Sequence, residues 1–387
     1  MRRIAIFASA FHPSLGGVEE LVRQLVVHLQ ERDCEMLVCT NQWPRHLHSE
    51  ELVDGIEVWR FPFRVPWGGF RAKASFPVYA HRTLTDLCAR LRGWGAELIH
   101  VQCISTNGWY AKEASRILGV PLLLTSQGER TMDASGVYQR SVLFNRMLRS
   151  CLRQAQRITA CSRSVLEDLQ AYYGEDFGER AEVVYNGVGD EAFLDGPKWP
   201  HPNPYLLAFG RLVPQKGFSV LLHAYAAAKI QGVDLLLAGD GPELQDLSSL
   251  RDQLGLRDRV HFVGRACRRI VGELIRGCRG LVVPSIREPM GIVALEGMAM
   301  GKPLVVSRVD GLIEFTREGT GCKQVPPGDI PLLAEALCWL SSEAPEYVRI
   351  HVIKANQMRW RALSGQYKDI YDGMLAPVGG AGGLVPA

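Results

Sequence analysis

Leu281-Val-Val-Pro284-Ser-Ile-Arg-Glu288-Pro-Met-Gly291-Ile-Val-Ala-Leu-Glu296-Gly-Met-Ala-Met-Gly301-Lys-Pro303 passes from an apolar run through a polar loop into a segment of helical length. The run Leu281–Val283 predicts a strand, the loop closes at Gly291, and a helix is expected to start near Ile292. A strand feeding a helix through a short glycine-bearing loop is the building unit of a parallel α/β sheet. The first backbone N–H groups of such a helix lack intrahelical acceptors, and its dipole favours an anion, so a phosphate is stabilised there. Glu288 lies in the loop and Glu296 about one turn into the helix, so both are expected to face one cleft. Carboxylates so placed accept hydrogen bonds from hydroxyl-rich ligands such as ribose and hexose. Taken alone, the pair reads as solvated surface charge or a helix-start charge pair; it is the surrounding string that points to a ligand.

The same alternation extends outward in both directions. Strands are expected at Ile4–Ala8, Glu35–Cys39, Ile56–Phe61, Leu98–Gln102, Pro121–Thr125 and Arg157–Ala160, then at Tyr205–Phe209, Asp234–Ala238, Val260–Val263, Gly280–Val283 and Pro303–Ser307. Helical patterns separate most of these runs, which predicts parallel sheets with helices on both faces. Between Asn186 and Pro204 the composition changes to Gly187, Gly189, Gly196, Pro197, Pro200, Pro202 and Pro204, which suits a linker. The expected organisation is a first Rossmann-like lobe over 1–186 and a linker over 187–204. A second Rossmann-like lobe follows over 205–355, then a C-terminal helix over 356–375 and a disordered tail over 376–387. Two such lobes create a cleft at the carboxyl ends of their strands.

A second motif, Phe209-Gly210-Arg211-Leu-Val-Pro-Gln-Lys216-Gly217, directly follows a strand. Arg211 offers a fork matching phosphate oxygens and Lys216 a mobile point charge, so the two fit a diphosphate; alone, the segment reads equally as a solvated basic turn. A third, Gly16-Gly17-Val-Glu-Glu, opens a helix after the first strand and allows backbone at Gly17 to approach a phosphate; it reads equally as a tight turn without a ligand. Gly239-Asp-Gly241-Pro242 lacks the third glycine of a dinucleotide fingerprint, so a nicotinamide cofactor is a weak reading. No two aspartates stand at D-x-D spacing, no histidines at H-x-x-x-H, and no G-x-S-x-G is present. No metal site is therefore expected. His12, His100 and His223 each stand alone, and a lone histidine is more often structural than catalytic.

The bulk properties limit the field further. A net charge of +3 gives no argument for nucleic acid. Ten cysteines without C-x-x-C spacing, in a chain long enough to build cores, point away from a disulfide framework. Ile4–Ala8 reads as a strand rather than a leader, and no stretch approaches the roughly 20 apolar residues of a membrane span. A cytoplasmic protein is expected.

In their joint order these strings resemble glycosyltransferase family 4, whose members have the two-lobed GT-B fold. The resemblance rests on Gly16-Gly17, Asn186-Gly187-Val188, GRLVPQKG from Gly210, LAGDGPEL from Leu237, VHFVGR from Val260 and the Glu288-to-Glu296 block at E-x7-E spacing. It implies a retaining, metal-independent transfer of a hexose-type sugar from a nucleotide diphosphate sugar, with no separate cofactor. Arg211 and Lys216 would hold the donor diphosphate with backbone near Gly17 and at Gly291, Ile292 and Val293. Glu296 would accept from the donor ribose, Glu288 would contact the transferred sugar, and the segment after about Asn356 would cross back to the first lobe. The acceptor, whether glycolipid, glycan or small molecule, is not named. A nucleotide-sugar 2-epimerase of the same architecture and a non-catalytic sugar-nucleotide binder are the alternatives. Three positions depart from the family pattern: Gln127 stands where His is frequent, Met290 where Phe is usual, and Asp310-Gly311 where Gly-Gly is usual.

Two segments of the first lobe are basic and free of acids. Trp59–Lys73 interleaves aromatic residues with Arg60, Arg64, Arg71 and Lys73, and Ala134–Leu166 holds six arginines and no Asp or Glu. Such surfaces can dock on anionic lipid, which makes peripheral contact with the inner face of a membrane an expectation beside a lipid-linked acceptor. A solvated helix face is the other reading of each.

Overall fold

The computed structural model describes residues 1–14, 16–66, 70–132, 136–319, 321–342 and 348–376. Among them, eight strands form a first sheet: β1 (Arg2–Ala8), β2 (Cys34–Asn41), β3 (Glu50–Val53), β4 (Ile56–Phe61), β5 (Leu98–Gln102), β6 (Leu122–Ser126), β7 (Arg157–Ala160) and β8 (Ala181–Val183). Six more form a second: β9 (Tyr205–Phe209), β10 (Asp234–Ala238), β11 (Val260–Gly264), β12 (Gly280–Val283), β13 (Leu304–Ser307) and β14 (Cys322–Val325). The orders are β3-β4-β2-β1-β5-β6-β7-β8 and β11-β10-β9-β12-β13-β14. Every pairing is parallel except that of β3 with β4. The two doubly wound α/β sheets are those of the GT-B fold.

Why these runs lie flat in a sheet is visible in β1. Ile4, Ile6 and Ala8 enter one hydrophobic cluster while Ala5 and Phe7 enter another. In β10, Leu236 and Ala238 face one way and Leu235 and Leu237 the other. Period-two alternation with both faces apolar leaves no solvated side, so helices must cover each face. Full burial of one Leu or Ile side chain contributes roughly 1.5–3 kcal/mol. The largest cluster runs without a break from Ile4, Leu25 and Met36 of the first sheet's side, through Trp360 and Tyr367, to Leu207, Leu281 and Leu295 of the second. The two sheets thus share one core at their join.

Three strands escape the periodicity argument: β3 is largely exposed with two glutamates, β8 has three residues, and β14 carries Lys323 and Gln324. All three sit at sheet edges, where apolar patterning is weakest. The C-terminal helix expected over 356–375 is interrupted near its start: one helix, Val348–Gln357, ends there and a second runs over Trp360–Leu375. The break has a local cause. Val188 N–H donates to the Met358 carbonyl at 2.9 Å, and Trp360 N–H donates to the Val188 carbonyl at 3.2 Å. A strand-like bridge to Val188 consumes groups that a continuous helix needs. A Cβ on Gly187 would stand 2.7 Å from the Trp360 nitrogen, so glycine there permits the crossing. The tail expected over 376–387 lies outside the described residues from 377 onward. Among the described residues, no helix is long and apolar enough to cross a membrane.

The last helix is tied to the first sheet by a buried imidazole. His100 Nδ1 meets the Tyr371 hydroxyl and Nε2 meets Thr125 Oγ1, each at 2.7 Å, and Thr125 Oγ1 lies 2.6 Å from Thr159 Oγ1. Burial depresses the His100 pKa to about 3. An unfolded chain takes up this proton near the ordinary value of ~6.5, while the folded chain refuses it. Because the folded pKa is the lower one, stability holds above pH ~6.5 and falls as pH drops toward 3, at most ~1.4 kcal/mol per unit. Chemical denaturation at pH 7 and pH 5 should show wild type losing ~2 kcal/mol more than His100→Gln, which keeps a hydrogen-bonding side chain without the titration. Equal losses would show that the imidazole does not carry this dependence.

Candidate active site

Neighbouring strands deliver the loops that build the site. Because β9 lies between β10 and β12, the segments leaving their carboxyl ends are forced together. The turn Pro214–Lys216 after β9 zips onto the loop after β12, with Ile286 N–H donating to the Gln215 carbonyl at 2.8 Å. On the other side, Leu212 N–H donates to the Asp240 carbonyl at 2.9 Å. These approaches need glycine. A Cβ on Gly217, whose φ is +67°, would stand 2.1 Å from the Pro284 oxygen, and one on Gly239 would stand 1.9 Å from the Gly210 oxygen. The glycines of the Gly239-Asp-Gly241 string therefore have a packing reason in this fold.

The zipper sets Lys216 against Glu288. Lys216 Nζ donates to Glu288 Oε2 at 2.6 Å, Ser285 Oγ donates to the same oxygen at 2.9 Å, and the glutamate is only 5% exposed. Its own backbone N–H donates to Asp310 Oδ2 at 2.9 Å, while Gly311 N–H donates to the Glu288 carbonyl at 3.1 Å. A Cβ on Gly311 would stand 2.0 Å from the Pro289 oxygen. Asp310-Gly311 thus braces the glutamate loop from below. Gly291 has φ +92° and caps the helix Ile292–Ala299. The first intrahelical bond runs from Ala294 N–H to the Gly291 carbonyl at 2.9 Å, which leaves the Ile292 and Val293 amides ahead of it.

Glu296 is 3% exposed and takes a short ion pair from Arg268 Nη1. Sequence reading missed Arg268. Its Nη2 lies 3.4 Å from Glu191 and its Nε 3.8 Å from Glu20, so it joins the second lobe to the first. The Glu296 charge beside it raises the guanidinium pKa further. Burial works against the Glu20 charge, yet hydrogen bonds from Arg23 and Gln24 and the Arg268 charge hold that carboxyl below its usual range. The available signal was the cluster Arg265, Arg268 and Arg269 just after β11. Nothing local assigned it to Glu296.

Arg211 points elsewhere. Its Nη2 approaches the Met132 carbonyl of the first lobe at 3.4 Å, across the crevice from its own strand. Gly17 begins the helix Gly17–Gln30, and a Cβ there would meet nothing within 4 Å, so backbone at this corner borders open space. The structure brings Lys216, Glu288 and the Gly291–Val293 helix start together. It sets Glu296 in the same helix under Arg268, and leaves Arg211 and Gly17 on the facing margins.

Gln127, at the end of β6, is held in a reciprocal amide pair. It donates to Asn186 Oδ1 at 3.3 Å and accepts from Asn186 Nδ2 at 2.8 Å, while Nε2 also reaches Gln102 at 3.1 Å. Glu129 accepts from the Gln127 and Ile104 N–H groups and from Ser126 Oγ at 2.8, 3.1 and 3.0 Å. Desolvation nevertheless pushes its carboxyl above the usual range. A second cross-lobe contact comes from Glu314, which accepts from the Arg163 and Ser164 N–H groups at 2.9 and 3.0 Å and from Tyr185 at 3.0 Å. A carboxylate on the exposed amides of the helix Arg163–Tyr173 is favoured by the helix dipole. Of the single histidines, His12 and His223 are exposed and His100 belongs to the buried network above.

The family described as Glycosyltransferase Family 4 matches residues 15–192, and that described as Glycosyl transferases group 1 matches residues 203–343. Over 269 residues the chain is 28% identical to alpha-D-kanosaminyltransferase of Streptomyces kanamyceticus, covering 64% of this chain and 69% of that one. The fold is similar to that of sucrose-phosphate synthase from Thermosynechococcus elongatus, with a TM-score of 0.78, 22% identity and coverage of 97% and 100% of the two chains. It is also similar to Anabaena Alr3699/HepE in complex with UDP-glucose, with a TM-score of 0.75, 18% identity and coverage of 96% and 100%.

Removing Arg268 leaves a buried carboxylate at Glu296 without its cation. Full burial would make such a loss cost about 3–5 kcal/mol. The Arg268 side chain is 41% exposed, so water screens part of the pair and about 1–3 kcal/mol is expected for Arg268→Ala. Thermal unfolding of Arg268→Ala beside Arg268→Ala/Glu296→Gln measures it, and the second change should restore part of the loss.

Proposed function

The chain belongs to glycosyltransferase family 4, and on that premise we propose that it moves a hexose-type sugar from a nucleotide diphosphate sugar to an acceptor with retention of anomeric configuration. It is a group 1 glycosyltransferase; the finer reading rests on one observation above others. A lysine ammonium is fixed by a buried glutamate at 2.6 Å, beside the open amides of a helix start. That combination suits a leaving diphosphate flanked by sugar hydroxyls.

In this reading Lys216 and the Ile292 and Val293 amides take the developing diphosphate charge, with Arg211 reaching in from the crevice margin. Fixed donors stabilise that charge without reorganising at the moment of reaction. Glu288 has its second carboxylate oxygen left to accept from a sugar hydroxyl, since Lys216 and Ser285 both use Oε2. Glu296 accepts from the donor ribose while sharing Arg268, and backbone at Gly17 closes the site from the first lobe. The acceptor oxygen bonds to the anomeric carbon on the face the phosphate leaves. The bond from that carbon to the phosphate oxygen breaks, and the acceptor proton passes to the departing phosphate oxygen. Two side-chain cations and the helix amides supply the positive charge, so we read the transfer as metal-independent. The neighbour that holds UDP-glucose makes a UDP-sugar the first donor to test.

A lipid-linked acceptor, reached by peripheral contact with anionic membrane, is part of the proposal. On the helix Val142–Gln154, Val142, Arg146, Arg149 and Arg153 are exposed at helical spacing. The Trp59–Lys73 segment contributes less, because Arg60 is 2% exposed and pairs inward with Glu51, and Arg64 stacks on Tyr79. Its Arg71 and Lys73 side chains lie outside the described residues.

Lys216→Ala and Glu296→Ala should each lower donor use at least tenfold, a change of about 1.4 kcal/mol in transition-state stabilisation. Release of nucleotide diphosphate from a donor panel, with and without EDTA, is the assay, and EDTA should leave wild-type turnover unchanged. Wild-type turnover in both variants would misplace the site, and epimerised donor would replace transfer by isomerisation. Flotation with anionic vesicles at low salt should carry the protein upward. Arg146→Ala/Arg149→Ala/Arg153→Ala should abolish that, and absence of wild-type binding rejects membrane contact.

A further inference from the structure

Far from the crevice, at the amino ends of the second sheet's strands, two histidines and an aspartate converge. Asp234 is the first residue of β10, and His261 lies in β11 opposite Leu236, hence diagonal to Asp234 on the same face. His201 arrives from the segment just before β9. Its Nε2 lies 2.9 Å from Asp234 Oδ2, and His261 Nε2 lies 3.5 Å from the same oxygen. All three atoms fall within 4.8 Å of one another, and the two rings are 5.1 Å apart at 64°. Sequence spacing gave no hint of the trio, because 33 and 27 residues separate its members.

Three features separate this cluster from an ordinary ion pair. His261 Nε2 is shielded from solvent yet makes no hydrogen bond, which leaves a nitrogen aimed at the carboxylate without the contact that usually satisfies it. Both imidazoles present the same nitrogen, Nε2, toward one point. The carboxylate is divided: Oδ2 faces the histidines and also takes Asn203 Nδ2 at 3.0 Å, while Oδ1 takes Arg259 Nε at 3.3 Å. Arg259 is held in turn by the Val233 carbonyl at 2.8 Å and the Tyr225 hydroxyl at 3.0 Å. An outer partner on the second oxygen is how ligating carboxylates are oriented.

We propose that His201, Asp234 and His261 bind a zinc-class divalent transition metal, which staples the segment preceding β9 to the sheet edge formed by β10 and β11. Zinc takes imidazole nitrogen and carboxylate oxygen at about 2.0–2.2 Å, which spaces tetrahedral ligands about 3.3 Å apart. The observed separations of 2.9 and 3.5 Å bracket that value. Water completes the set, entering past the His261 ring, whose side chain is 38% exposed although its Nε2 is shielded. On binding, both Nε2 atoms give lone pairs, so the proton that His201 shares with Asp234 moves to Nδ1 or to solvent. The metal stands at the opposite end of β10 from Gly239, about 16 Å along the strand direction, so its role is structural and independent of donor chemistry.

The test uses the full chain stripped with EDTA and titrated with Co²⁺, then with Zn²⁺, at neutral pH. One equivalent of Co²⁺ should bind with the visible bands of a tetrahedral ion, and Zn²⁺ should bleach them. Zn²⁺ at about a hundredfold over its Kd should raise Tm by roughly 5 °C. His201→Gln and His261→Gln should each weaken binding at least tenfold while leaving the far-ultraviolet circular dichroism of the metal-free protein unchanged. If the stripped wild type takes up no Zn²⁺, or the double variant His201→Gln/His261→Gln binds as well as wild type, the proposal is wrong. The wild-type titration decides the matter even if a variant does not fold.

Discussion

The site depends on how closely two loops can approach at the carboxyl edge of the second sheet. Parallel strands place the exits of β9 and β12 side by side, about one strand spacing apart. Two loops can share that space only if backbone lies on backbone, and Gly217 against Pro284 is where the contact is tightest. From that contact follow the Gln215–Ile286 hydrogen bond, the meeting of Lys216 with Glu288, and the direction in which Gly291 releases its helix. A side chain at Gly217 would part the loops and separate the ammonium from the carboxylate, even with every charged residue kept.

Charge is arranged around this edge in two layers. Lys216 and Glu288 neutralise each other within the second lobe, while Arg268 and Glu314 reach across to the first. Arg268 links Glu296 to Glu20 and Glu191, and Glu314 caps a helix of the opposite lobe. The cross-lobe contacts are polar, with modest energies that water can replace, in contrast to the continuous apolar core around Trp360 and Tyr367 that joins the lobes at their base. A firm base and a polar upper crevice are what a cleft needs to admit a ligand without coming apart.

The three departures from the family pattern acquire physical meanings in the fold. Asp310-Gly311 is a brace, since the aspartate takes the Glu288 N–H and the glycine lies against Pro289. Met290 offers its sulfur to the Asn186 N–H at 3.1 Å, a polar contact that a phenyl ring lacks. Gln127 is committed to Asn186 and Gln102, so in this structure its amide joins β5, β6 and the start of the segment between the sheets.

Alternating apolar runs by themselves determined the parallel sheets, because period-two burial on both faces, as in Ile4 to Ala8 and Asp234 to Ala238, has few other solutions. The Glu288-to-Glu296 string likewise announced a loop and a helix start, since glycine and carboxylates at those spacings act through local backbone chemistry. Edge strands such as β3 and β14 stayed hidden because one side of each pairs with nothing and only half of each four-residue run is apolar. The helix break at Met358, the Arg268 bridge to Glu296 and the convergence of His201, Asp234 and His261 were settled only by tertiary structure. Each joins residues far apart in the chain, and the energy of a pairing at a distance is set by where strands end and loops meet, which no local window of sequence contains.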